Sequence, residues 1–277
     1  MFSATRRIVA LVLAGMLVVP LAAPVGAAEP VPQDPPAEVV TPETLAQAEL
    51  DLVTLTNRQR AAYGLVNLQM DPDLMAIAHD RAEVMAANDV MSHTEPDGRK
   101  VWDRLNDAHI TWFAGGEILA WNHYPDEYTA AEAIRAWMAS PDHHAIMVST
   151  GYNYVGFGAA VSATGLRYYV GVFIREPDET GALARFGTIS KRSVDRTHTR
   201  VTIRWSGGDR RLQVLTSGLR YFQVQRRLVG GAWQSWRVTT ATHRTVTWSK
   251  AYDREVRVRA RDRAGNWGAW KVIRITV

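Results

Sequence analysis

Apolar residues recur every three or four positions through the first half of the chain and every second position through its last third. In TPETLAQAELDLVTLTNRQRAAYG (residues 41–64), Leu45, Ala48, Leu52 and Leu55 share one side of a helix. Thr41 or Thr44 caps it and Gly64 closes it. DPDLMAIAHDRAEVMAAND (71–89) repeats the pattern. Asp71 caps, Pro72 takes the first turn, and Leu74, Ile77, Ala78, Arg81 and Met85 recur down one side. DEYTAAEAIRAWMAS (126–140) turns Tyr128, Ala131, Ile134, Trp137 and Met138 toward a core. YVGFGAAV and LRYYVGVFI then predict two strands joined by a turn at Ala163-Thr164-Gly165. Helices followed by a late cluster of strands predict an α+β layout, with helices packed on a small antiparallel sheet.

Beyond residue 198 only alternation remains. RVTIRWS, RYFQVQRRL, WQSWRV, TVTW, REVRVRARD and WKVIRITV predict short strands separated by turns such as SGGD and RAGN, which is the pattern of a β-sandwich. Val201, Ile203 and Trp205 point inward, as do Val256, Val258 and Ala260. Arg257, Arg259 and Arg261 therefore share the outward face, with Arg200 and Arg204 on a second outward stripe. Trp233, Trp236, Trp267 and Trp270 are placed to stack between guanidinium groups.

The ends and joints complete the organisation. MFSATRRIVALVLAGMLVVPLAAPVGAA (1–28) reads as a secretory signal peptide: two arginines, a short apolar run, then small residues. Residues 29–43 form a Pro-rich acidic linker, 44–183 the first domain, 184–198 a second linker, and 199–277 the basic β-sandwich. Charge divides along the same line. From Thr188 onward stand 20 Lys and Arg against 5 Asp and Glu, leaving 12 and 23 of the chain's 32 and 28 for the rest. Halves of opposite sign imply different partners, or attraction to one another. The 277 residues include no cysteine, which excludes disulfides and thiolate metal ligands.

Candidate chemistry rests on three residues. In SPDHH, Ser140 suits an N-cap and Pro141 the first helical position, so His143 falls in the first turn. The helix dipole there favours a neutral imidazole, the form that ligates metals or accepts a proton. An ordinary surface histidine fits the same spacing, and no HExxH zinc signature is present. His93 follows an apolar helix end in VMSHTEPDGR, before a turn at Pro96, Asp97 and Gly98. Glu117 follows a glycine pair inside the apolar stretch WFAGGEILAW, where a carboxylate is costly to bury without a partner.

NRQRAAYGL, MSHTEPDG, GGEILA, WMASPDHH and YNYVGFGAAV occur in the order typical of bacterial members of the CAP superfamily, the cysteine-rich secretory, antigen 5 and pathogenesis-related proteins, or SCP-like extracellular domains. The resemblance spans residues 48–176 and implies a CAP-type α-β-α sandwich. It also implies one cavity gathering His93, His143 and Glu117. The family usually has Asn where this chain has Ile118, and its second glutamate falls on Ser140, beside Asp142; His144 stands where Arg is common. VRVRARDRAGNWG (256–268) resembles the penultimate strand of fibronectin type III-like and bacterial immunoglobulin-like domains. Asn57 and Arg60 match an N-x-x-R pattern and are expected to be structural. Trp102, Trp112, Trp121 and Trp137 are expected in the core or cavity wall.

Taken together, these readings predict a secreted protein whose His/Glu cleft binds a small molecule, a lipid or a divalent metal such as zinc. His93, Glu117 and His143 would be the metal ligands. The same trio would be catalytic if the domain were a metal-assisted hydrolase of a peptide or wall component. A vestigial cleft in an adhesion protein is the remaining alternative. Arg257, Arg259 and Arg261 would hold an anionic cell-surface polymer, or dock onto the chain's own acidic domain; no nucleic-acid recognition motif is present.

Overall fold

The structure is a computed structural model that describes residues 44–123 and 129–277. The signal-peptide and first-linker readings, and the expectation for Tyr128, lie outside the described residues. Helix α1 (Leu45–Ala62) starts at Thr44, whose hydroxyl accepts from the Gln47 amide at 3.1 Å, and helix α2 (Pro72–Asn88) starts at Asp71, whose carboxylate accepts from the Asp73 and Leu74 amides. Helices α3 (Val101–Asp107), α4 (Thr129–Ala139) and α5 (Pro141–Met147) follow in order. Ser140 precedes α5 without a side-chain capping bond; Pro141 takes the first turn as expected.

These helices enclose a four-stranded sheet ordered β1-β3-β4-β2, formed by Gln69–Met70, Tyr154–Val161, Arg167–Arg175 and Ala114–Asn122. β3 and β4 are an antiparallel hairpin, β4 pairs antiparallel with β2, and β1 pairs parallel with β3. One face carries Leu119, Val170, Val172 and Ile174 against Leu74, Ala78 and Met85 of α2 and Leu105 of α3. The other carries Ile118, Phe157, Tyr169 and Phe173 against Leu52 of α1, Ile134 and Trp137 of α4 and Met147 of α5. That is the expected α-β-α sandwich. Gly156 and Gly158 set the first interface, since a side chain at either would strike the α2 backbone at Leu74 or Ala78. In α4 the core-facing alanines are Ala130 and Ala133; Ala131, expected inside, is exposed because the stripe is rotated by one residue. Trp137 is buried and Trp102 and Trp112 stack at 5.3 Å, but Trp121 is 49% exposed near the end of the edge strand β2.

The C-terminal half is the expected β-sandwich. One sheet runs β11-β10-β7-β8 (Lys271–Ile275, Arg254–Asp262, Leu219–Leu228, Gln234–Thr239) and the other β5-β6-β9 (Leu183–Ser193, His198–Gly208, His243–Ser249). Val201, Ile203, Trp205, Val256, Val258 and Ala260 fill its core. The 184–198 linker is corrected: these residues form β5 and the start of β6, paired in register from Leu183↔Gly208 to Ser193↔Thr199. Its outer half is nearly all exposed, so it lacks the apolar alternation by which a strand is recognised.

The joint between the halves is instead the short stretch 176–182, and the described residues form one compact unit. The loop 209–218 crosses to the helical half. Leu212 enters the α2-side core, Gln213 accepts from the Val66 amide at 2.8 Å, and Arg210 donates to Gln69 at 2.8 Å. None of these is an ion pair, and the arginines of β10 take no part in them.

Candidate functional site

Arg81 was legible as the one cation on an apolar stripe, and in the folded chain it organises the site. It is fully buried in α2. Its Nε donates to Glu117 Oε1 at 3.0 Å, its Nη1 to Glu95 Oε1 at 3.1 Å, and its Nη2 to the Ser92 carbonyl at 3.0 Å. Glu117 enters from β2, on the face it shares with Leu119, and is 7% exposed. Its other oxygen, Oε2, lies 2.6 Å from Nδ1 of His93. His93 projects from the loop after α2 with a side chain 58% exposed. A relay thus runs from buried charge to accessible imidazole.

Glu95, which sequence reasoning missed, anchors the loop that carries His93. Arg104 of α3 grips it through Nε at 2.6 Å and Nη2 at 3.1 Å, opposite Arg81. Burial pushes the Glu95 carboxyl up, but the hydrogen bonds and charges of Arg104 and Arg81 outweigh it and hold the group below the usual carboxylate range. An unpaired arginine among apolar positions was the signal that such carboxylates had to exist.

His143 approaches from the opposite side of the sheet. β2 is an edge strand, and α4 and the segment between α5 and β3 cover its free edge: Trp137 Nε1 donates to the Leu119 carbonyl and the Tyr152 hydroxyl to the Gly115 carbonyl. Gly116 lets α5 close in, because a Cβ there would lie 3.0 Å from both the Ile146 side chain and the Tyr152 hydroxyl. Arg60 pins the C-terminal end of α5, donating from Nη1 to the Met147 and Ser149 carbonyls at 2.9 and 2.8 Å. Asn57 makes a two-way bond with the Leu68 backbone, so both residues of the N-x-x-R pattern are structural. Burial lowers the His143 pKa, and the neighbouring His93 lowers it further, against a partial offset from Asp142. The direction matches expectation; the causes are packing and a second imidazole. His144 turns away and meets the Tyr63 hydroxyl at 2.9 Å.

His93 and Glu117 are therefore joined, and His143 lies within electrostatic reach of His93. The three do not converge as a ligand set. Among the described residues, two other groups have carboxylate oxygens within 4.8 Å of one another: Asp71–Glu176–Glu179 and Asp178–Asp209–Asp262. Both oxygens of Glu117 are already engaged, by Arg81 and by His93. Glu117 is thus a positioning residue, and the donors left for a guest are the two imidazoles. Between α2 and the loop that carries His93, Val84, Met85, Val90 and Pro96 line a separate cavity of about 230 Å³, with Arg81 and Glu95 on its wall and neither imidazole in its lining.

On the sandwich, the expected arginine–tryptophan stacking is present on the outer face of β10. Arg257 lies 4.4 Å from the Trp233 ring and 4.3 Å from Trp270; Arg259 lies 4.5 Å from Trp270 and 4.0 Å from Trp267; Arg261 lies 5.3 Å from Trp267. Trp236 belongs elsewhere, between Arg226 and Arg244. Cross-strand partners on β7 fix the guanidinium groups: Gln225 accepts from Arg257 Nε and Gln223 from Arg259 Nε, both at 2.8 Å. Burial, then like-charged neighbours, lower the pKa of both arginines.

Residues 53–173 match the family model described as the cysteine-rich secretory protein family, CAP. Among curated proteins the chain is similar to the uncharacterized membrane protein YlbC of Bacillus subtilis, 28% identical over 46% of this chain and 34% of that protein. It is also similar to the uncharacterized protein YkwD of the same organism, 26% identical over 44% and 46%. The chain thus spans less than half the length of either relative. Among solved structures it resembles an extracellular protein containing an SCP domain from Bacillus anthracis, with a TM-score of 0.41, 24% identity, and coverage of 50% of this chain and 45% of that one. Among the described residues no helix is long and apolar enough to cross a membrane.

Proposed function

Residues 53–173 are a CAP domain, and from that premise we propose that the His93–His143 cleft binds a divalent metal or a small polar ligand. The observation that carries the reading is the 2.6 Å contact between His93 Nδ1 and a Glu117 carboxylate that is itself locked by Arg81. A carboxylate accepting at Nδ1 selects the tautomer whose Nε2 is free to donate its lone pair, an arrangement recurrent behind metal-bound histidines. The lowered pKa of His143 keeps the second imidazole neutral and available. Zinc fits two imidazoles with positions left for water or ligand, and His93 and His143 would hold it. In that site it would supply Lewis acidity.

Binding is favoured over nucleophilic hydrolysis because, among the described residues, the side-chain bond of His93 goes to a carboxylate and no hydroxyl is aligned with it. The basic sandwich complements this as a surface anchor. The terminal nitrogens of Arg257 and Arg259 make no hydrogen bond among the described residues, so their edges can meet phosphate or carboxylate groups of a wall polymer. Isothermal calorimetry with zinc tests the first part: wild type takes up metal, while His93→Ala and His143→Ala do not. Equal uptake by all three would refute it. Binding to purified cell-wall polymer should weaken with added salt, and salt-insensitive binding would remove the anchor.

A further inference from the structure

Two carboxylate clusters flank the joint between the halves, and they differ in how their charge is met. In the Asp178–Asp209–Asp262 cluster every carboxylate has three donors. Asp178 accepts from the Thr180 amide and hydroxyl and the Ser217 amide. Asp209 accepts from the Arg210 and Gly218 amides and the Ser217 hydroxyl. Asp262 accepts from the Gly265 and Asn266 amides and the Asn266 side chain. That cluster is a satisfied hydrogen-bonded knot.

The Asp71–Glu176–Glu179 cluster is not. Glu176 is only 3% exposed, and its Oε1 is buried with no hydrogen-bond partner. No Lys, Arg or His pairs with any of the three among the described residues. Their oxygens nonetheless lie within 4.8 Å of one another. A buried carboxylate facing two others without a counter-ion is an arrangement that native proteins avoid unless something occupies the space.

We propose that Asp71, Glu176 and Glu179 bind a hard divalent cation of calcium's size and ligand preference. All donors are carboxylate oxygens, which suit calcium or magnesium and disfavour zinc. Calcium is preferred because it accepts irregular sets of oxygens completed by water, and Glu179 is exposed to admit both ion and water. The cradle is held by its backbone. Asn153 clamps Glu176, accepting from its amide at 3.0 Å and donating to its carbonyl at 2.8 Å. The Glu179 amide donates to the Tyr154 hydroxyl at 2.9 Å. Asp71 spends Oδ1 on the α2 cap, leaving Oδ2 for the cation. A bound ion would tie the start of α2 to the segment that leads into the sandwich and so stiffen the joint.

Calcium titration of the EDTA-treated full chain by calorimetry tests this, with Glu176→Gln, Glu179→Gln and His93→Ala alongside. Wild type and His93→Ala should bind one calcium equally, and each glutamine variant should bind about tenfold or more weakly, since calcium affinity follows ligand charge. Should Glu176→Gln fail to fold, the exposed Glu179→Gln carries the test alone. Thermal unfolding adds a second reading: calcium should raise Tm in wild type and not in either glutamine variant. Absence of uptake by wild type, unweakened binding in Glu179→Gln, or an equal rise in Tm in all variants would overturn the assignment.

Discussion

In the α-β-α half Arg81 is sealed between Glu95 and Glu117, whereas in the sandwich Arg257 and Arg259 lie between tryptophan rings with glutamines at their Nε atoms. The first arrangement places charge against charge out of water and transmits position, from Arg81 through Glu117 to His93. The second covers the faces of the cations with aromatic carbon and leaves their edges open. Burying an ion pair makes each member dependent on the other, while stacking divides the same task among several weaker contacts. One is suited to holding a single side chain at a fixed angle, the other to keeping a broad basic face ordered.

The largest expected effect comes from breaking the sealed pair. Arg81→Met strips Glu117 of its buried cation and Glu95 of one of its two arginines, and should cost about 3–5 kcal/mol in denaturant unfolding. Combining it with Glu95→Gln and Glu117→Gln should recover part of that loss. A single-variant cost below about 1 kcal/mol would show that the pair is solvated, as exposed pairs are. Next comes Glu117→Gln alone, which keeps the shape but weakens the orientation of His93. Zinc affinity should fall about 10–100-fold, read by competition with a chromogenic chelator. In the sandwich, Trp270→Ala removes the ring shared by Arg257 and Arg259 and should cost only about 1–2 kcal/mol. Equality with Arg81→Met would erase the contrast.

The smallest effect concerns pH. A hydrogen bond to Glu49 raises the pKa of His79, against burial and with help from the Glu49, Glu83 and Asp80 charges. The folded state therefore holds this proton more tightly than the unfolded chain. Its contribution is complete below the ordinary value of 6.5 and is lost as pH rises through the elevated one. His79→Ala should flatten stability across that interval, and an unchanged pH profile by thermal unfolding would count against the contact.

The parts of the fold that could be read in the sequence were those with one clear period. Strand β10 alternates arginine with Val256, Val258 and Ala260, and both its inner and outer faces followed from that alone. Thr44 and Asp71 announced their helices because capping is local. Strand β2 was harder. Its glycine pair looks like a turn, and the need for glycine arises from Trp102 over Gly115 and Ile146 over Gly116, partners distant in sequence. His93, Glu117 and His143 were identified, yet Glu117's role was not, since Arg81 had to be located before its carboxylate could be seen as engaged. Glu95 escaped notice inside a polar turn for the same reason.

The central proposal is that Glu117, bonded to Nδ1 of His93, leaves the Nε2 of that ring for a guest shared with His143. Long-range proton–nitrogen NMR of the imidazoles, at a pH where they are neutral and before and after zinc, examines it most directly. His93 should carry its proton on Nδ1, and the Nε2 resonance of His93 and a ring nitrogen of His143 should both shift with zinc. A proton on Nε2 of His93, or imidazole spectra of the two residues indifferent to zinc, would contradict it.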